Sequence, residues 1–299
     1  MFTEAQLYSP VTHTSDGDVT VHLSDEHPGV RDRHYRDRRN AIAALALHHT
    51  PDEPLPRVDY TDAEHEVWRT VSAELAREHR THACAEVLAA AEALALPTDH
   101  IPQLDEVSTA LEPLTGFRYA PAAGLVPLRQ FFGSFGRGVF HSTQYIRHHS
   151  APLYTPEPDA IHEIIGHANQ LASPRFAAVY TAVGAAVDRL STDRALKFLA
   201  DVFWFSMEFG VVREQGDIRC YGAGLLSSYG ELGEFRSAQL RPLHIAAMGS
   251  AQYDITRYQP ILYCADSIAE IEDVIGGFFT DMDDDTPERL LRSSGIRTR

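Results

Sequence analysis

Residues 159–170 read DAIHEIIGHANQ, and the placing of the two histidines decides how the rest of the chain is read. His162 and His167 lie five positions apart, with Glu163 beside the first. Zinc proteases of the H-E-x-x-H kind set their histidines four apart, on one face of a helix. On an ideal α-helix a step of four returns a side chain to within about 40° of its starting direction, whereas a step of five leaves it about 140° away. Two imidazoles at this spacing meet on one ion only if the helix is distorted or one of them lies at its end. A π-type widening near Gly166 brings them round, and such bulges gather at functional sites. Pro156 and Pro158 set the helix start near Asp159, which places His162 early in the helix.

A third donor is Glu208, in the apolar stretch FWFSMEFGVV at 203–212. An unpaired carboxylate is costly to bury there, so it binds a cation, pairs with Arg213 or reaches solvent. Two histidines and a carboxylate leave coordination positions open, the pattern of non-haem iron oxygenases. Zinc accepts the same donors. Ligand type therefore leaves the metal open, and a zinc hydrolase with Glu163 as general base is a rival reading. Arg147, in GVFHSTQYIRHH, can clamp a carboxylate bidentately or form a structural salt bridge. Trp204 lies one helical turn before Glu208, so its ring lines a cavity beside the metal or packs in the core. The glycines of FFGSFGRG and YGAGLLSSYGE fit neither a phosphate loop nor a dinucleotide fingerprint. The adjacent pairs His48–His49 and His148–His149 are expected at the surface.

The 299 residues are 44% apolar and 23% charged, with a formal charge of −16. That charge argues against nucleic-acid binding. No apolar run approaches the ~20 residues needed to span a bilayer, and the start lacks the pattern of a secretory signal. Cys84, Cys220 and Cys264 are scattered, which fits a reduced compartment. A cytoplasmic protein with no membrane or nucleic-acid partner is expected. Residues 1–30 carry acidic groups but no Lys or Arg and are expected to form a loosely docked arm; 31–280 form one catalytic domain, and 281–299 a charged, frayed tail. The interior reads as mainly α. Thr61 and Glu64 form a capping-box pattern ahead of Val67, Val71 and Leu75 at helical spacing. Further helices are read at 83–96, 174–190 and 192–212. Strand signals are few: weak at 138–141, better in DIRCYG and PILYCA.

With these motifs in order, from PRVDYTDAEHEVWRTV through THACAEV, TGFRYAPAAGL, YTPEPDAIHEIIGH, FWFSMEFG and CYGAGLLSSYGEL to YQPILYCADS, the chain resembles the pterin-dependent aromatic amino acid hydroxylases over about residues 55–275. It is most similar to the short bacterial phenylalanine hydroxylases. The resemblance implies that His162, His167 and Glu208 bind one iron(II), and that Glu163 faces the pterin and a water on the metal. It implies Phe131 stacked on the pterin, with Gly124 and Leu125 in the loop that contacts it. Arg147 matches the arginine that binds the substrate carboxylate, with Thr155 and Ser227 helping; Pro156, Trp204, Phe209 and Gly224 match the walls around the ring. The cofactors implied are iron(II) and a tetrahydropterin, with dioxygen and an aromatic amino acid as substrates. Missing counterparts of the animal enzymes' regulatory domain and tetramer helix lead to the expectation of a monomer.

The chain departs from the family pattern in three places. GHANQ stands where G-H-V-P is common, Phe203 where tyrosine is common, and Leu128 where the pterin loop has a small polar residue. Trp204 and Leu125 favour phenylalanine over tryptophan, and Ile255 disfavours tyrosine. Para-hydroxylation, giving L-tyrosine, is favoured by Phe209 and Gly224. Tryptophan 5-hydroxylation and meta-hydroxylation of phenylalanine are the alternatives inside the family, and an inactive binding homologue is a further one outside it.

Overall fold

Helix Asp62–His82 shows how local sequence sets an element in this chain. Thr61 Oγ1 accepts from the Glu64 N–H at 3.2 Å, and Glu64 Oε2 accepts from the Thr61 N–H at 2.8 Å. That is the reciprocal cap read from the sequence. Val67, Val71 and Leu75 are buried along one face beside Trp68, whose indole N–H donates to Pro97 C=O at 3.0 Å. The computed structural model describes residues 10–14, 18–51, 53–254 and 257–295. Its main helices are Arg33–His48, Asp62–His82, Ala85–Leu94, Leu104–Thr115, Leu128–Phe135, Pro174–Val187 and Asp193–Phe203. The fold is mainly α with small sheets, as expected.

Strands β1 (Val11–His13) and β2 (Val19–Val21) form an antiparallel hairpin. Strands β3 (Arg118–Pro121) and β4 (Val139–Ser142) pair in parallel. Strands β5 (Val211–Glu214), β6 (Asp217–Cys220), β7 (Gln239–Pro242) and β8 (Ile261–Ala265) make a sheet of order β6-β5-β8-β7. The hairpin between β5 and β6 turns at Gln215 and Gly216, with φ of 53° and 82°. Positive φ at both positions gives a turn whose twist matches that of paired strands.

DIRCYG and PILYCA supply β6 and β8, and the weak signal at 138–141 is β4. Strand β5 was not legible: the helix read to Val212 stops at Glu208. Gly210 is the cause. A Cβ there would lie 2.2 Å from Ser206 C=O and 2.1 Å from the Tyr221 ring, so the chain turns out of the helix through a space that admits no side chain.

The principal hydrophobic cluster takes in buried side chains from Val67 to Met282, and Phe135, Phe140, Tyr180 and Phe203 bring it up to the functional site. Of the arm expected at 1–30, residues 1–9 and 15–17 lie outside the described residues. Beyond them His27 is buried, stacks on Tyr35 and lies 3.4 Å from Glu157, while the Val21 N–H donates to Asn40 Oδ1 at 2.8 Å. Two anchors thus dock a segment that charge counting marks as loose. Within the expected tail, helix Thr286–Ser294 packs with Thr286 and Pro287 buried, and Asp284 accepts the Ser191 and Thr192 N–H groups. His148 is also buried rather than superficial, because Asp32 and Ser150 satisfy its two ring nitrogens. The cysteines are free and buried. Among the described residues no helix is long and apolar enough to cross a membrane.

Candidate active site

Residues Ile161–Ala168 form a π-helix. With i→i+5 bonding, residues five apart lie over one another, and the His162 and His167 Nε2 atoms come to 3.0 Å. Gly166 lets this helix sit flush on the helix Ala223–Ser227, since a Cβ would lie 2.7 Å from Ala223 C=O. A second π turn, Trp204–Glu208, closes with the Phe209 N–H donating to Trp204 C=O at 3.0 Å. It delivers the Glu208 carboxylate 3.2 Å from His167 Nε2 and 3.7 Å from His162 Nε2. Donors separated by 3.0–3.7 Å can each lie roughly 2.1 Å from one shared centre, the bond length of a first-row divalent ion. Glu208 meets the histidines, and Arg213 pairs instead with Asp266.

Electrostatics prepare the same donors. Burial, reinforced by the neighbouring His167, pushes the His162 pKa down to about 4, so its ring is neutral at pH 7. At Glu208 burial acts upward, but His167, His162 and the Gly224 N–H together hold the carboxylate below its usual range. At His167 burial acts downward and is outweighed by Glu208, which raises it. Ser227 Oγ donates to Ala223 C=O at 2.8 Å and lies 2.9 Å from His162 Nδ1. Its oxygen therefore accepts the His162 Nδ1–H, which leaves Nε2 bare at the centre.

A cavity of about 660 Å³ opens above these donors, large enough for two small molecules. Every residue singled out from the sequence as a ligand, pterin contact or substrate contact lines it, from Gly124, Leu125 and Phe131 to Phe209, Gly224 and Ser227. Glu163 is buried, 3.4 Å from Thr143 Oγ1, and its carbonyl accepts from the Tyr119 hydroxyl at 2.6 Å. Phe131 meets Phe132, Phe135 and Phe140 edge-to-face, with centroids at 5.0–5.5 Å. Trp204 stacks on Tyr253 at 4.5 Å and leans on Phe209 at 4.6 Å, and its indole N–H finds no acceptor among the described residues. Thr155 donates to Glu157 C=O, and Pro156 lies beside it in the wall.

Of the two readings, the structural salt bridge is the one the geometry displays for Arg147. Its Nε and Nη2 grip Asp159 at 2.9 and 2.8 Å, and its backbone N–H adds a third bond at 2.8 Å. Nη1 makes only a 3.5 Å contact with Pro152 C=O, while the residue still borders the cavity. Sequence reasoning passed over Asp159, Gln170, Tyr180 and the cavity-lining Glu231. An acid beside the helix start was the signal available for Asp159; the others are set by tertiary contacts. Leu128 and Phe203 also line the cavity, and Ile255 lies outside the described residues.

A family model for biopterin-dependent aromatic amino acid hydroxylases matches residues 13–286. The chain belongs to that family. This hydroxylase is 51% identical over 269 residues to the phenylalanine 3-hydroxylase of Streptomyces coeruleorubidus, covering 90% of this chain and 96% of that one. It is 40% identical over 262 residues to the phenylalanine-4-hydroxylase of Rattus norvegicus, covering 86% of this chain and 58% of that protein. Among solved structures, the cold-active phenylalanine hydroxylase of Colwellia psychrerythraea superposes with a TM-score of 0.73 at 29% identity, covering 83% and 93% of the two chains. The Chromobacterium violaceum enzyme, with iron(III) and 7,8-dihydrobiopterin bound, gives 0.72 at 26%, covering 80% and 90%. Iron and a pterin are the cofactors to which the hydroxylase site is matched. The convergent Nε2, Nε2 and carboxylate donors fit the former, and the half-buried Phe131 beside a glycine loop fits the latter.

Proposed function

We propose that this enzyme hydroxylates the ring of L-phenylalanine, with His162, His167 and Glu208 holding iron(II). The convergence of three donors from two π turns on one point, beneath an aromatic-walled cavity, carries the reading. Iron and tetrahydropterin, when bound, supply the two-electron activation of dioxygen. The chain's own residues bind, orient and keep water out. Arg147, held in place by Asp159, takes the substrate carboxylate, and Thr155 and Ser227 border the backbone of the amino acid. Pro156, Trp204, Phe209 and Gly224 enclose the ring, and the apolar walls exclude water from the reacting face. Phe131 would hold the pterin ring, with Gly124 and Leu125 contacting it from the loop, and Glu163, whose carboxylate lies within 4.8 Å of the His162 and His167 donor atoms, would supply an acidic group beside them. Trp204, wedged between Tyr253 and Phe209, narrows the site toward a six-membered ring and away from an indole.

Carbon 3 is our reading of the position attacked, favoured by the 51% identity to a phenylalanine 3-hydroxylase over nearly the full length of both chains. Carbon 4 is the second reading, favoured by Phe209 and Gly224. The test is product analysis of the iron(II)-loaded protein in air with tetrahydropterin and equal Phe, Tyr and Trp, separating meta- from para-tyrosine. Pterin-dependent meta-tyrosine is expected. Para-tyrosine would overturn the regiochemistry alone. An absence of any hydroxylated amino acid, with iron bound, would overturn the function. Peptide hydrolysis by a zinc-loaded, pterin-free sample would revive the hydrolase alternative.

A further inference from the structure

We infer that Gln170 and Tyr180 are positioning residues for the three-donor centre, a two-residue relay that fixes the ring of His167 and ties together the segments carrying the other donors. The inference rests on reading His162, His167 and Glu208 as the metal ligands.

Both side chains are fully buried. Gln170 Nε2 donates to Met207 C=O at 2.9 Å and to Tyr221 C=O at 2.7 Å. Carbonyls only accept, so the amide has one permitted orientation, and Oε1 must face the other way. There it accepts the Tyr180 hydroxyl proton. Tyrosine has one such proton, so towards His167 Nδ1, at 2.8 Å, the phenolic oxygen can only accept. The neutral His167 is thereby held with its proton on Nδ1 and its lone pair on Nε2, facing the centre. The chain of deduction runs from two backbone carbonyls to one lone pair, with no free choice along it.

The relay also joins three segments. Met207 directly precedes Glu208. Tyr221 opens the stretch that brings the Gly224 N–H to Glu208 and Ser227 to His162. Gln170 lies on the turn that follows the π-helix of the two histidines. One amide thus sets the relative placement of all three ligand-bearing segments. Two departures of the sequence lie beside it. Gln170 directly follows Ala168 and Asn169, which stand in place of the V-P of the usual G-H-V-P run, and Phe203, without a hydroxyl, packs edge-to-face on Tyr180 at 5.4 Å. The hydroxyl beside the ligand comes from helix Pro174–Val187 instead.

The test is Co2+ titrated into apo-protein, followed by calorimetry and by the visible d–d band, for wild type, Tyr180→Phe, Gln170→Met and the double variant. Tyr180→Phe keeps the ring packing and removes only the hydroxyl. Its Co2+ Kd is expected to rise roughly 10- to 100-fold, with a shifted band. The double variant is expected to bind no more weakly than the worse single variant, because the two residues act as one unit. Folded Tyr180→Phe that binds Co2+ within about twofold of wild type, with an unchanged band, overturns the relay, even if its Tm falls. Should Gln170→Met fail to fold, Tyr180→Phe still decides. His162→Ala separates the two levels: loss of Co2+ binding there upholds the ligand reading independently, whereas wild-type affinity there overturns that reading and the relay with it.

Discussion

Asp159→Asn puts the double role proposed for Arg147 to the test. Asp159 is wholly buried and accepts three hydrogen bonds from Arg147, two of them in a fork at 2.8–2.9 Å. Breaking one side of a buried ion pair costs about 3–5 kcal/mol, because the remaining charge is left uncompensated. Unfolding entropy of about 2.1 cal/mol/K per residue gives roughly 0.6 kcal/mol/K for this chain, so Tm should fall by about 5–8 °C. Arg147 loses its aim at the same time. Losing one charge-assisted bond to the substrate carboxylate, about 1.5–3 kcal/mol, raises KM for phenylalanine roughly 10- to 150-fold, with a smaller change in kcat. Differential scanning calorimetry and steady-state kinetics read the two effects separately. The apolar pair Arg147→Met with Asp159→Leu should recover most of the stability and none of the affinity. A drop in Tm with an unchanged KM would show Arg147 to be a structural salt bridge only, and the clamp would be refuted.

Burial pushes Glu231 up to about 7, with partial relief from the Gln259 N–H at 2.6 Å. Between the ordinary value of 4.5 and that pH the folded protein keeps a proton which the unfolded chain has lost, so stability declines as pH rises through this window, by roughly 3 kcal/mol in all. Glu231→Gln should melt like wild type at pH 5 and higher than wild type at pH 8; parallel melting curves at both would contradict this. A Cβ on Gly224 would lie 2.7 Å from the Phe209 ring and 3.0 Å from Glu208 C=O. Gly224→Ala should therefore cost about 1–3 kcal/mol in chemical denaturation and raise the phenylalanine KM as Phe209 is displaced. Phe131→Ala removes a stacking partner worth about 0.5–1.5 kcal/mol, so KM for tetrahydropterin should rise roughly 2- to 12-fold while that for phenylalanine holds.

The histidine spacing left two ways to bring the rings together, a widened helix near Gly166 or a ligand at the helix end, and the chain forms the widened helix. Ligand chemistry reached Glu208 because a carboxylate in an apolar run demands a partner. Secondary structure was legible where local rules act, as at the Thr61 cap, and failed at β5, where a single glycine turns the chain out of an apolar helix without any change in hydrophobicity. The supporting groups were the least legible. Asp159 sits twelve residues from Arg147, Tyr180 thirteen from His167, and Gln170 reaches carbonyls thirty-seven and fifty-one residues away. Such partners carry no local signature, because any buried amide or phenol can serve once the fold aims it.

The π-helix Ile161–Ala168 has a consequence for how this site can vary. A π turn holds one residue more than an α turn, so deleting Ile164 or Ile165 would leave an ordinary helix reading H-E-I-G-H, with its histidines at the four-residue spacing of the zinc hydrolases. The excision would keep both imidazoles on one face. Because the widened turn already absorbs the extra residue, the two ends would keep roughly their relative direction. Asp159 fastens the upstream end to Arg147, while Gln170 fastens the downstream end to the Met207 and Tyr221 carbonyls and to Tyr180. Both ends are therefore held by their own partners whichever spacing lies between them, and what the extra residue changes is the stretch between the histidines, including the direction of Glu163.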